Sequence, residues 1–229
     1  SENQPHILVV FLTLLAVERA RFGSPVAAGL ALALAASLKL YPAIFALFWL
    51  MGGDRRAVLY FALFGGALGL ASITLTGWPM HAAFLSEVSA ISNTLLLLRS
   101  NLSLEALLAM VTLPTETFSF ADTSATGGTT DWRYAEKPPF WQFCSIAVQL
   151  AALIILLILA WRSKLANPLF WPLAFLVVTW LSPISWMYYF IPPFLVLPAL
   201  FARIGLTPAL VLTVLITAPT SLLFFNSGL

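Results

Sequence analysis

In the run Ala35–Phe45, AASLKLYPAIF, one lysine stands among apolar neighbours on both sides. A charged side chain at the centre of a bilayer costs about 2.5–3.5 kcal/mol on insertion scales. Lys39 is therefore retained for a reason, or lies nearer to water than the run implies. Pro42 cannot donate a backbone hydrogen bond and disfavours helix at Tyr41, so a break is expected there. Broken helices are tolerated at membrane depth where they line a polar cavity. These residue types place Lys39 on the floor or wall of such a cavity; the competing reading is a lysine snorkelling along a longer helix to the interface.

Two further groups carry polar chemistry. Arg99, Asn101 and Ser103 crowd a break in FLSEVSAISNTLLLLRSNLSLEALLAMV. They either form a polar rim with Arg99 as a second cation, or cap the following helix, whose first turn holds Glu105. In WLSPISWMYYFIPP, Ser182-Pro-Ile-Ser185 opens a helical gap, followed by Trp186, Tyr188 and Tyr189. Aromatics at this level also make an ordinary interfacial belt. Gln4 falls on the same face as these groups, and their coincidence suggests one site. Gly65 and Gly69 have the spacing of close helix packing. His81 is solitary and reads as interfacial. Asn101-Leu102-Ser103 is formally a glycosylation triplet. The sequence offers no metal-ligand spacing, nucleotide-binding glycine loop, Ser/His/Asp order or internal repeat.

The elements that must position these residues follow from composition. The 229 residues are 61% hydrophobic and 9% charged, with a mean hydropathy of +0.96, against roughly 25% charged in an average soluble domain. This is an integral membrane protein. Its apolar residues come in blocks rather than in alternating segments, so helices and not a barrel span the bilayer. The single cysteine, Cys144, lies in an apolar run and reads as a packed thiol rather than part of a disulfide framework. The opening SENQPHILVV lacks an initiating methionine and a basic signal-peptide region, so the chain is expected to begin mid-protein.

Apolar blocks fall at about 7–17, 25–38, 41–51, 57–76, 140–161, 168–181, 187–202 and 206–225. The expected fold is an all-α, polytopic bundle of about eight helices forming a single domain over 1–229. Arg19, Arg21, Arg55, Arg56, Arg162, Lys164 and Arg203 cluster in four linkers with only Glu18 and Asp54, which makes these linkers cytoplasmic by the positive-inside rule. The opposite side carries Lys39, Arg99, Arg133 and Lys137 against Glu2, Glu87, Glu105, Glu116, Asp122, Asp131 and Glu136. One continuous helix over 25–51 would put two basic clusters on opposite sides. A short broken hairpin keeps both inside, with each leg about 20 Å long. Residues 77–139 form the extracytoplasmic region, read as interfacial helix followed by loop.

Taken in order and spacing, GLALALAASLKLYPAIFALFWLMGGDRR, SNLSLEALL and LSPISWMYYFIPP resemble the membrane glycosyltransferases of the C-type superfamily. The nearest resemblance is to glycosyltransferase family 87, the polyprenyl-phosphate-mannose-dependent α-mannosyltransferases of bacteria. By motif, Lys39 and Tyr41 match the family's Lys-x-x-Pro turn. Asn101 and Ser103 match an Asn-Gln-Ser triplet with Leu102 at its centre here, and Gln4 matches a Gly-Gln-x-Asn stretch whose other places hold Asn3, Pro5 and His6. Where family members show His-His after the Ser-Trp pair, this chain has Tyr188 and Tyr189. The superfamily's catalytic carboxylate lies in the first extracytoplasmic loop, upstream of the expected start of this chain. Glu2, Glu87, Glu105 and Asp122 match no such loop, so no catalytic residue is named.

The resemblance implies an inverting transferase of the cell envelope, in the bacterial plasma (inner) membrane and multi-pass. It would move a sugar, with mannose expected, from a polyprenyl phosphate donor to a lipid or glycan acceptor on the extracytoplasmic face. Lys39 and Arg99 would bind the donor phosphate. Gln4, Tyr41, Asn101, Ser103, Ser182, Ser185, Trp186, Tyr188 and Tyr189 would bind substrate. No cofactor, metal or nucleic acid is expected. The alternatives are a transporter or flippase for an anionic, lipid-linked substrate, which the missing inverted repeat weighs against, and an inactive assembly subunit.

Overall fold

The computed structural model describes residues 5–97, 101, 103–114, 117–120, 133–163, 165–167, 169–182, 185, 201–202, 205–208 and 210–211. The chain divides into two units, Ser1–Leu85 with Leu150–Ala174 and Ser86–Gln149 with Phe175–Leu229. The expected blocks at 187–202 and 206–225 lie almost wholly outside the described residues.

In the first unit, α1 (His6–Arg21) leads through Gly23, whose φ of +71° makes the turn, into α2 (Pro25–Leu38). Pro25 sits in the first turn of α2, where its missing N–H has no intrahelical partner to lose. The helix stops at Lys39, whose backbone is extended (φ −147°, ψ 137°). A 3₁₀ turn at Tyr41–Ala43 and α3 (Ile44–Gly52) follow. The break thus lies upstream of Tyr41. Pro42 occupies the first turn of the returning segment, a position it tolerates, and opens the second leg rather than ending the first. Gly53 and Asp54 close the next turn, and the Asp54 carboxylate accepts the Ala57 N–H (3.3 Å) to cap α4 (Arg55–Thr76).

The two legs return to one level. Gly29 packs against the backbone of Tyr60 and Phe61 near the start of α4, while Lys39 shares a cavity with Ser72 and Thr76 near its end. Thus α2 and α4 run parallel. Arg21, Gly52, Asp54 and Leu165 surround one cleft of about 320 Å³ at the opposite end. A straight 25–51 helix would separate Arg21 from Asp54 by roughly 40 Å. Phe45, Phe48 and Trp49 of α3 are fully buried. Phe45 stacks on Trp171 (6.2 Å, 10°) and Phe48 meets Phe170 edge-on (5.4 Å, 85°), both from α8 (Phe170–Trp180).

Among the described residues two helices are long and apolar enough to cross a membrane: α4, with a hydropathy of 1.9, and α7 (Pro139–Ser163), with 2.7. None of the α4 window is buried inside the protein. Leu59, Leu63, Leu70 and Leu75 on α4, and Phe140, Phe143 and Ile146 on α7, are exposed. Such faces are costly in water and unremarkable against lipid.

In the second unit the structure departs from the expected interfacial helix. Helix α5 (Trp78–Ser92), whose residues through Leu85 belong to the first unit, is followed by strand β1 (Thr94–Leu97), α6 (Leu104–Thr112), β2 (Ser119–Phe120) and β3 (Arg133–Glu136). The fold is therefore nearly all-α, with a three-stranded antiparallel sheet of order β1-β3-β2. Leu95 pairs with Ala135 and Leu97 with Arg133. A leucine run favours helix locally. Here the alternate residues Leu95 and Leu97 are buried with Ala106, Ala109, Phe118 and Ala135, and this packing overrides the local preference.

Candidate functional site

Lys39 lines a cavity of about 620 Å³ in the first unit, within the usual range of small-molecule sites. Its wall is largely apolar. Gly65, Gly66 and Gly69 of α4 line it, and a Cβ added at any of them would meet nothing within 4 Å among the described residues. These glycines therefore widen a cavity rather than admit a packed helix. The close helix contact is made by Gly29, where a Cβ would fall 2.6 Å from the Phe61 nitrogen. Tyr41, half-buried at the same break, stacks with the buried His6 (6.3 Å, 29°), so the start of α1 joins this end of the unit.

Ser37, Ser72, Thr76 and His81 supply the other polar side chains of the lining. His81 is not solitary. Its Nδ1 lies 3.1 Å from the Gly77 carbonyl, its Nε2 lies 3.2 Å from the Ser72 hydroxyl, and its ring stacks on Trp78 (6.5 Å, 7°). The sequence signal for this lies in Gly77-Trp-Pro-Met-His81. Gly77, at φ +81° and ψ 156°, makes a turn that only glycine adopts readily, and His81 follows its carbonyl at helical spacing.

The second unit gathers Asn101, Ser103 and Ser185, all fully buried. The Asn101 amide donates to the Leu96 carbonyl (2.8 Å), and its oxygen accepts from the backbone N–H groups of Ser103 (3.2 Å) and Ser185 (2.9 Å). Ser103 caps α6 by accepting the Ala106 N–H (3.2 Å). The Ser185 hydroxyl is buried without a hydrogen-bond partner among the described residues. Ser182 lies half-buried in the bend after α8. Gln4, Arg99, Trp186, Tyr188 and Tyr189 lie outside the described residues.

Beside this hub lies a network that the pattern of the sequence does not reveal. Lys137 Nζ pairs with Glu105 Oε2 (2.6 Å), with side chains 3% and 13% exposed. The Ser145 hydroxyl donates to the other Glu105 oxygen. Gln149 donates to Ser145 (3.3 Å) and to the Leu181 carbonyl (3.1 Å). Glu105, Cys144, Ser145 and Gln149 line a mainly apolar cavity of about 200 Å³. With both oxygens engaged, Glu105 ties α6 to the end of β3 and to α7. Among the described residues no three His, Cys, Asp or Glu come together to hold a metal.

Comparison with known proteins gives one family. The model for glycosyltransferase family 87 matches residues 3–183. No curated protein and no solved structure matches the chain.

Proposed function

We propose that this chain, which belongs to glycosyltransferase family 87, transfers mannose from a polyprenyl phosphate donor to a lipid or glycan acceptor on the extracytoplasmic face of the bacterial plasma membrane, with inversion. The observation that carries this reading is the position of Lys39, at a helix break and in the lining of an apolar cavity. In the reaction an acceptor hydroxyl attacks the anomeric carbon and gives its proton to a base. The bond from that carbon to the phosphate oxygen breaks, and the phosphate leaves with one more negative charge. A lysine ammonium in a poorly hydrated wall stabilises that developing charge more than it would in water. The apolar wall suits the isoprenyl part of such a donor.

Within this proposal Lys39 and Arg99 bind the donor phosphate. Tyr41, Ser182 and Ser185 contact substrate, as do Gln4, Trp186, Tyr188 and Tyr189. For Ser185 the unpartnered buried hydroxyl gives a reason: a substrate hydroxyl would satisfy it. Asn101 and Ser103 act through the backbone they hold, next to Ser185. The full-length protein, assayed for glycoside formation with a polyprenyl phosphate mannose, tests the reading. We expect product from the unaltered chain and its loss in Lys39→Ala. Unchanged turnover in Lys39→Ala would remove Lys39 from the mechanism, and uptake of the lipid-linked sugar without glycoside would mark a transporter instead.

A further inference from the structure

The hydroxyls of the Lys39 cavity do not all use their hydrogen in the same way. Ser37 donates to the Leu34 carbonyl (2.8 Å) and Thr76 to the Ser72 carbonyl (2.9 Å), bonds that keep each side chain on its own helix. Thr74, outside the lining, does the same to Ala71 (2.8 Å). Ser72 is bonded instead to an imidazole on the next helix. A carbonyl can only accept, so Gly77 places the ring proton of neutral His81 on Nδ1. Nε2 is then an acceptor, and Ser72 donates its hydroxyl hydrogen to it. The lone pairs of Ser72 Oγ are left to accept a hydrogen from the cavity side. The pair thus presents an acceptor, where Lys39 in the same lining presents a donor and a positive charge.

We propose that Ser72, oriented by His81, accepts a hydrogen bond from a hydroxyl of the donor's sugar, so that one cavity reads the phosphate through Lys39 and the sugar through Ser72. This rests on the donor-site reading of the cavity and adds two residues that the resemblance to the family does not assign. His81 is a positioning residue: it fixes which way the Ser72 hydroxyl points. Trp78 stacked on its ring and Gly77 at its Nδ1 hold it in that orientation. The bland alternative is a staple for the turn between α4 and α5, and the two differ in what they do to ligands with and without a sugar.

The test measures binding to the full chain in detergent by calorimetry. The two probes are a short isoprenyl phosphate and the mannosyl phosphodiester of the same lipid. A net hydrogen bond between neutral groups corresponds to roughly twofold to tenfold in affinity. We expect Ser72→Ala to weaken the mannosyl probe by about that factor and to leave the isoprenyl phosphate unchanged. Ser72→Thr should restore affinity, and His81→Phe, which keeps the ring stack but removes Nε2, should match Ser72→Ala. Isoprenyl phosphate binding doubles as the check that each variant is folded. Equal losses for both probes, or no loss in Ser72→Ala, overturn the assignment. So does an effect confined to methyl α-mannoside, an acceptor-side hydroxyl probe. If the unaltered chain binds neither lipid probe, the donor reading itself falls and takes this inference with it. If Lys39→Ala weakens both probes while Ser72→Ala weakens neither, only the sugar assignment falls.

Discussion

At the Lys39 turn the polar side chains line an open cavity, whereas Asn101 and Glu105 are spent on neighbouring groups of the fold, with the buried Ser185 hydroxyl beside Asn101 left without a hydrogen-bond partner among the described residues. In the first region Ser72 keeps acceptor capacity on its cavity side. In the second, Asn101 uses its amide and its carbonyl on backbone groups, and both oxygens of Glu105 are engaged. From the sequence both regions read alike, as polar residues at breaks in apolar helices. Hydrogen-bond accounting separates them: the bonds of Asn101 and Glu105 tie segments of the fold together, while Ser72 keeps acceptor capacity toward a cavity of ligand size.

The sharpest way to break this contrast is to unpair Glu105. Lys137→Met leaves a buried carboxylate without its cation, and loss of one partner of a buried pair costs about 3–5 kcal/mol. Unfolding of the purified protein in denaturant should shift accordingly, and a change under about 1 kcal/mol would reduce the network to a surface-type pair. Lys39→Ala should do the reverse. Turnover falls by about 10²–10³, the usual effect of removing one group that stabilises developing negative charge, while the unfolding midpoint stays in place. A large loss of stability in this variant would make Lys39 a structural residue.

Within the first unit the glycines sharpen the comparison further. Gly29→Ala forces a Cβ against the Tyr60–Phe61 backbone, an overpacking that costs about 1–3 kcal/mol. Gly65→Ala meets no atom of the described residues and should leave stability equal or raised by up to about 1 kcal/mol through helix propensity. Equal effects at the two sites would show that the cavity beside Gly65 is closed in the membrane. The smallest effect is at the cap of α6. Ser103→Ala loses the bond from Ala106 and should cost about 1 kcal/mol, with its effect on activity no larger than its effect on stability.

Helices α1, α2, α4 and α7 follow the apolar blocks to within a few residues, because a lipid-facing helix is written in its own hydropathy. The break at Lys39 was equally legible, since a lysine before Tyr-Pro in an apolar run is a local conflict. Strand β1 was not, because its partner β3 lies beyond α6 in the chain and four leucines in a row carry no alternation to betray it. Glu105 and Lys137 are 32 residues apart, and no pattern links them. His81 looked solitary because its two partners are a backbone carbonyl and a serine nine residues back on another helix.

The matched legs of the hairpin act as a ruler. The 14 residues of α2 rise about 21 Å at 1.5 Å each. The 3 residues of the 3₁₀ turn and the 9 of α3 descend about 20 Å, because the tighter helix gains roughly 2.0 Å per residue. The distance of Lys39 from the Arg21–Asp54 end of the hairpin is therefore set by leg length. Adding one helical turn to both legs would carry the ammonium about 5 Å further from that end. Adding it to one leg alone would drag Gly29 out of register with Tyr60. Over evolutionary time the reach of the hairpin can thus be retuned by paired insertions, with the identity of the lysine unchanged.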